Sequence, residues 1–98
     1  MELDIKGVHM DITDDIREYI STKLQKISFA EDKIIDLGFT LTKEKTKSFE
    51  LEAKIHFRWG ENDVIKVNTF DLNEGLDALI HKLDMKVKKE VDRMKEHQ

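Results

Sequence analysis

The chain has no cysteine, which excludes disulfides, thiol nucleophiles and thiolate metal sites and agrees with a reducing compartment. It has no proline either, so glycine and polar clusters must punctuate it. The opening Met-Glu-Leu-Asp-Ile-Lys lacks the basic start and apolar run of a signal peptide. No apolar stretch approaches the roughly 20 residues that span a bilayer, and a cytoplasmic protein without a membrane partner is the expectation. Gly-x-Gly-x-x-Gly, Walker and Gly-x-Ser-x-Gly patterns are missing, and with them the phosphate cradles and serine elbow they build. The four histidines, His9, His56, His81 and His97, show no His-x-x-x-His spacing. His56 alternates onto a polar strand face and His97 falls in a frayed tail. Carboxylates are abundant but fall on solvated faces or helix caps. The expectation is a non-enzyme with no cofactor, no metal and no small-molecule substrate.

At 98 residues the chain suits one domain with one core. Hydrophobic and charged residues each make up 39%, and the formal net charge is −4. That sign opposes indiscriminate nucleic-acid binding, which draws its affinity from phosphate neutralisation.

Leu3, Ile5 and Gly7 suggest a short first strand. From Ile12 the spacing changes to Ile16, Tyr19, Ile20, Leu24 and Ile27, one stripe of a helix. Thr13 is its expected N-cap, with Asp14 and Asp15 in the first turn, where the helix dipole favours negative charge. The polar stretch "SFAEDK" reads as a break. Ile35, Leu37, Phe39 and Leu41 then alternate with polar residues as a strand. "TKEKTKS" reads as a solvated turn. Phe49, Leu51, Ala53, Ile55, Phe57 and Trp59 form the inward set of the clearest strand, opposite Glu50, Glu52, Lys54, His56 and Arg58. "GEND" closes a hairpin to a fourth strand carrying Ile65, Val67 and Thr69.

Asp71 with Glu74 approximates a capping box and opens a second helix striped by Leu76, Ile80, Leu83, Val87, Val91 and Met94. The order is β-α-β-β-β-α. A helical crossover makes strands one and two parallel, and tight turns make strands two to four antiparallel. The expected fold class is therefore α+β, a two-layer sandwich whose four-stranded mixed sheet carries both helices on one face.

On a wheel of about 100° per residue, Lys82, Lys86, Lys89 and Arg93 fall nearly on one line, away from Asp77, Asp84 and Asp92. Residues 82–95 hold six basic groups against three acidic ones. Lys23 and Lys26 would join this ridge if the helices lie side by side. The plainer reading is that these lysines lay their methylenes along the apolar stripe and reach water. Base stacking on the sheet is disfavoured, because its open face carries Glu50, Glu52, Lys54, His56, Arg58 and Lys66 while Phe49, Phe57 and Trp59 point inward. A helix edge touching phosphates remains for RNA.

"GVHMDITDDIREYISTKLQKI" resembles the opening of the ribosome hibernation promoting factor and ribosome-associated translation inhibitor family, also labelled sigma-54 modulation proteins. The shared features are Gly-x-x-hydrophobic-x-hydrophobic-Thr, Ile-Arg-x-Tyr and Lys-Leu-x-Lys. "FDLNEGLDALIHKLDMKVKK" looks like the family's Asp-Met-Tyr-x-Ala-Ile-Asp-x-Leu-x-x-Lys-Leu helix. The resemblance covers essentially the whole chain, residues 1–98 as a single ribosome-binding domain. It implies a protein that occupies the mRNA and tRNA channel of the small ribosomal subunit and silences translation in stressed or resting cells. It also implies RNA contacts at Lys23, Lys26, Lys82 and Lys89; Lys86 and Arg93 belong by geometry alone. Asn73 stands where the family has tyrosine, Met85 where a basic residue is frequent, and Glu90, Asp92 and Glu96 dilute the charge. The expectation is weaker, more salt-sensitive binding. The chain looks like a short form, for which ribosome pairing would need a separate ribosome-dimerising factor. The rival reading is an acidic protein-protein module on the same scaffold, such as a sigma-factor modulator.

Overall fold

The computed structural model describes residues 1–96; His97 lies outside the described residues. Thr13, itself extended, caps the first helix, α1 (Asp14–Lys23), and its hydroxyl accepts the Ile16 N–H at 3.2 Å. That bond satisfies one of the donors a helix start leaves without a partner. Before it runs strand β1 (Glu2–Val8), and after it the chain tightens rather than breaks: Leu24–Lys33 is a 3-10 helix. Its buried residues are Leu24, Ile27 and Ala30, a strict spacing of three that matches a helix of 3.0 residues per turn. The expected break at "SFAEDK" is thus corrected; only the outward residues of that stretch are polar.

The segment ends at Ile34, where the backbone becomes extended and strand β2 (Ile34–Lys43) begins. A register shift at Ile34/Asp36 makes Ile35 the extra residue of a bulge. Ile35 is therefore exposed, while Ile34 and Leu37 on either side are buried, correcting the expectation that Ile35 starts the inward set. Strand β3 (Phe49–Phe57) keeps the expected alternation, and β4 (Asn62–Thr69) follows through a turn in which Gly60 takes φ +92°, a conformation open to glycine and strained for other residues. Trp59 lies just past β3, half-buried, its ring stacked on Phe57 with centroids 5.0 Å apart.

Helix α2 (Leu72–Glu96) starts where the Asp71 carboxylate accepts the Glu74 N–H at 3.0 Å. The return arm of a capping box is supplied by Thr69 instead, whose hydroxyl accepts the Asp71 N–H at 3.2 Å. Gly75 is buried in the first turn because a Cβ there would stand 2.2 Å from Thr69 Cγ2 and 2.8 Å from Leu51 Cδ1. The missing side chain lets α2 lie directly on the sheet.

The sheet order is β1-β2-β3-β4, parallel between β1 and β2 and antiparallel elsewhere. Both helices cover one face, and the core between the layers holds Ile20 and Ile27 from the first crossover, Leu37, Phe39, Leu51 and Phe57 from the sheet, and Leu76, Leu79, Ile80 and Leu83 from α2. The architecture is the expected α+β two-layer sandwich. Helix α2 packs mainly over β4 and β3, so its two flanks face different neighbours.

Candidate nucleic-acid interface

The flank facing the first helix is marked by Asp77. Its Oδ1 accepts the Tyr19 hydroxyl at 2.6 Å and pairs with Lys23 Nζ at 3.5 Å, while that ammonium also lies 5.5 Å from the Tyr19 ring centre. The Tyr19 hydrogen bond, followed by the positive charges of Lys23 and Lys26, holds the Asp77 carboxyl below the usual carboxylate range, and the same bond raises the Tyr19 phenol. Further along this flank Asp84 is buried against the fold and pairs with Lys88 at 3.1 Å.

The opposite flank is marked by Lys86, nine residues and about two and a half turns from Asp77. It reaches Asp63 on β4 at 3.1 Å and Glu90 at 3.8 Å. Glu90 is only 3% exposed. It accepts the Arg93 guanidinium at 2.6 Å and faces the Trp59 indole N–H at 3.4 Å. Hydrogen bonds from Arg93, then from Trp59, with the charges of Arg93 and Lys86, hold the Glu90 carboxyl below its ordinary value despite burial. Asp63 in turn raises Lys86. Asp84 and Glu90 thus depart from the expectation that carboxylates sit on solvated faces or caps. Glu90 is the buried node that ties the β3–β4 hairpin to α2.

The six candidate residues do not form one ridge. Lys82, Lys86, Lys89 and Arg93 share the flank towards β4, whereas Lys23 and Lys26 belong to the side facing Asp77. Side-by-side helices therefore do not merge the two groups, because the first helix meets the other flank of α2. Within each group the charges also differ in availability. Lys23, Lys86 and Arg93 are held in ion pairs, while Lys26, Lys82 and Lys89 have no ion pair among the described residues. Lys82 and Lys89 are exposed and bracket Met85, which is also exposed.

A third basic group is the tip of the β2–β3 hairpin, where Lys43, Lys45 and Thr46 line an open cleft with His9 and Glu44. Lys43, Lys45 and Lys47 also lack ion-pair partners among the described residues. Reading "TKEKTKS" only as a solvated turn passes over this cluster, although three lysines alternating within five positions are its signal. No group of three metal-ligating side chains gathers among the described residues, and none of their helices is long and apolar enough to cross a membrane.

These features define a small two-layer α+β protein with unpaired cations on its helix surfaces and at a hairpin tip, beside others on the strands such as Lys6 and Lys66. The family described as Sigma 54 modulation protein / S30EA ribosomal protein matches residues 3–95, and the chain belongs to that family. Among its relatives, the ribosome hibernation promoting factor of Azotobacter vinelandii is 30% identical over 98 residues, covering 100% of this chain and 90% of that one. The factor of the same name from Escherichia coli K12 is 30% identical over 97 residues, covering 99% and 100%. The fold is shared with a ribosomal subunit interface protein from Coxiella burnetii, at a TM-score of 0.83 and 22% identity over 94% of this chain and 99% of that one. The N-terminal domain of Thermus thermophilus Protein Y superposes at 0.79 and 23% identity, covering 91% and 98%.

Proposed function

We propose that this protein is a cytoplasmic ribosome hibernation factor that acts as one unit on the small ribosomal subunit, occupies the mRNA and tRNA channel, and so inhibits translation in stressed or resting cells. It acts by occupation rather than by catalysis. The observation that carries this reading is the full-length similarity to factors named for ribosome hibernation. The distribution of charge supports it. Lys82 and Lys89 are exposed and unneutralised on α2, with Lys26 on the other side, so cations remain for phosphates although the net charge is −4. Lys23, Lys86 and Arg93 serve the interface at its margins, because each already faces a carboxylate. Such contacts read phosphate position and RNA shape rather than sequence.

The test is cell-free translation with purified ribosomes. The unaltered chain in excess should suppress synthesis and compete with mRNA and initiator tRNA for the small subunit. Lys82→Glu with Lys89→Glu should relieve the inhibition by tenfold or more in half-inhibitory concentration, since about two phosphate contacts become repulsive, with an unchanged melting temperature. Translation unaffected at excess protein would favour the sigma-factor reading that the family's description also carries.

A further inference from the structure

Phe70 is 79% exposed, the most exposed large hydrophobic side chain among the described residues. The backbone around it is fixed on both sides. Behind it Thr69 pairs with Phe49 at the end of the β3–β4 ladder. Ahead of it the Asp71 N–H donates to the Thr69 hydroxyl, which itself donates to the Asp71 carbonyl at 2.9 Å, and Gly75 N–H donates to the same carbonyl at 2.9 Å. The ring is thus presented to solvent by an anchored chain.

Phe49, the ladder partner of Thr69, also pairs with Lys43 on its other side. Phe70 therefore leaves the sheet beside residues 44–48, since neighbouring strands lie about 4.8 Å apart. That tip is a tight turn: Lys47 N–H donates to the Glu44 carbonyl at 3.1 Å, Glu44 N–H to the Ser48 carbonyl at 2.8 Å, and the Thr46 and Ser48 hydroxyls meet at 2.9 Å. Lys47 holds φ +67°, a left-handed conformation that glycine adopts without strain and lysine does not. A lysine occupies this position and carries its charge to the tip.

We infer that Phe70 and Lys47 of the hairpin tip form a second RNA contact, in which the Phe70 ring stacks on an unpaired base and Lys47 takes a flanking phosphate. A lone flat ring beside an unpaired cation fits a nucleotide, with its π-face and its charge. An apolar protein partner would call for further exposed apolar groups around the ring, yet the flanking Asn68, Asp71 and Asn73 are polar and exposed. The inference rests on the ribosome-binding reading and adds a contact at the end of the sheet where α2 begins.

The experiment measures affinity for purified small subunits at fixed salt. Phe70→Leu and Phe70→Ala should each weaken binding by about tenfold, Phe70→Trp should bind at least as tightly as the unaltered chain, and Lys47→Gly should bind more weakly while melting no lower. Leucine matching phenylalanine would overturn the stacking, as would Lys47→Gly binding without loss. A second measurement is independent of the ribosome. The unaltered chain has one tryptophan, Trp59, in the β3–β4 turn at the other end of the sheet, so an indole at position 70 adds a new signal. In the Phe70→Trp chain that signal should be quenched by a short unstructured RNA, with Trp59 alone as the control. Absence of quenching overturns the base platform whatever the ribosome assay gives. Failure of the unaltered chain to bind subunits would instead overturn the reading beneath it.

Discussion

Lys86 and Lys89 stand three residues apart on the same helix and have different environments. Lys86 is drawn to Asp63 and Glu90, so its charge is largely answered within the fold, while Lys89 meets water. A helical wheel places both on one line, because it records direction around the axis and nothing about what lies opposite. The difference comes from Asp63, more than twenty positions earlier, and from the burial of Glu90. Glu90 also dictates a pH response. Its folded pKa lies below the ordinary 4.5, so its contribution to stability is full above that value and is lost as pH falls through the folded pKa. Glu90→Gln should therefore melt lower than the unaltered chain at neutral pH and lose that disadvantage in acid, as pH falls below 4.5 and through the folded pKa, as followed by circular dichroism. An equal deficit at neutral and at acid pH would contradict this assignment.

At the scale of elements, local chemistry was readable where it is local. Thr13 caps α1 as its residue type suggests, and the alternation from Leu51 to Phe57 specifies the inward face of β3. The 3-10 segment was concealed by its composition, since "SFAEDK" is polar in four of six positions. Its spacing of three through Leu24, Ile27 and Ala30 was present all along. The bulge at Ile35 has no signature in the residues themselves, because isoleucine suits either side of a strand. Gly75 shows the same limit from the other direction. In a helix, glycine is worse than alanine by about 1 kcal/mol, so propensity alone favours substitution. The close approach to Thr69 and Leu51 reverses the sign. Gly75→Ala should destabilise the fold by about 1–2 kcal/mol in urea unfolding, and a stabilised variant would show that α2 does not rest on the sheet as described.

Across the whole molecule, sign and placement of charge disagree, and placement matters more at short range. At physiological ionic strength, charges beyond about 8 Å are largely screened, so a phosphate at Lys82 or Lys89 responds to its near neighbours before the net −4. The architecture and the family were legible in the chain, because periodicity, caps and motif order all follow it closely. The candidate surface was legible only in part. Which cations are free depends on ion pairs across layers, and Phe70 is conspicuous only once its exposure is known. Binding should be modest in affinity, because few free cations contribute and several acids stand nearby, so that even the shallow salt slope of a few phosphate contacts suffices to release the protein as salt rises. The most direct test is cosedimentation of the purified protein with excess small ribosomal subunits at about 50 mM and about 200 mM salt. The protein should travel with the subunits at the lower salt and be largely released at the higher. Protein remaining at the top of the gradient at both salts would contradict the proposed binding.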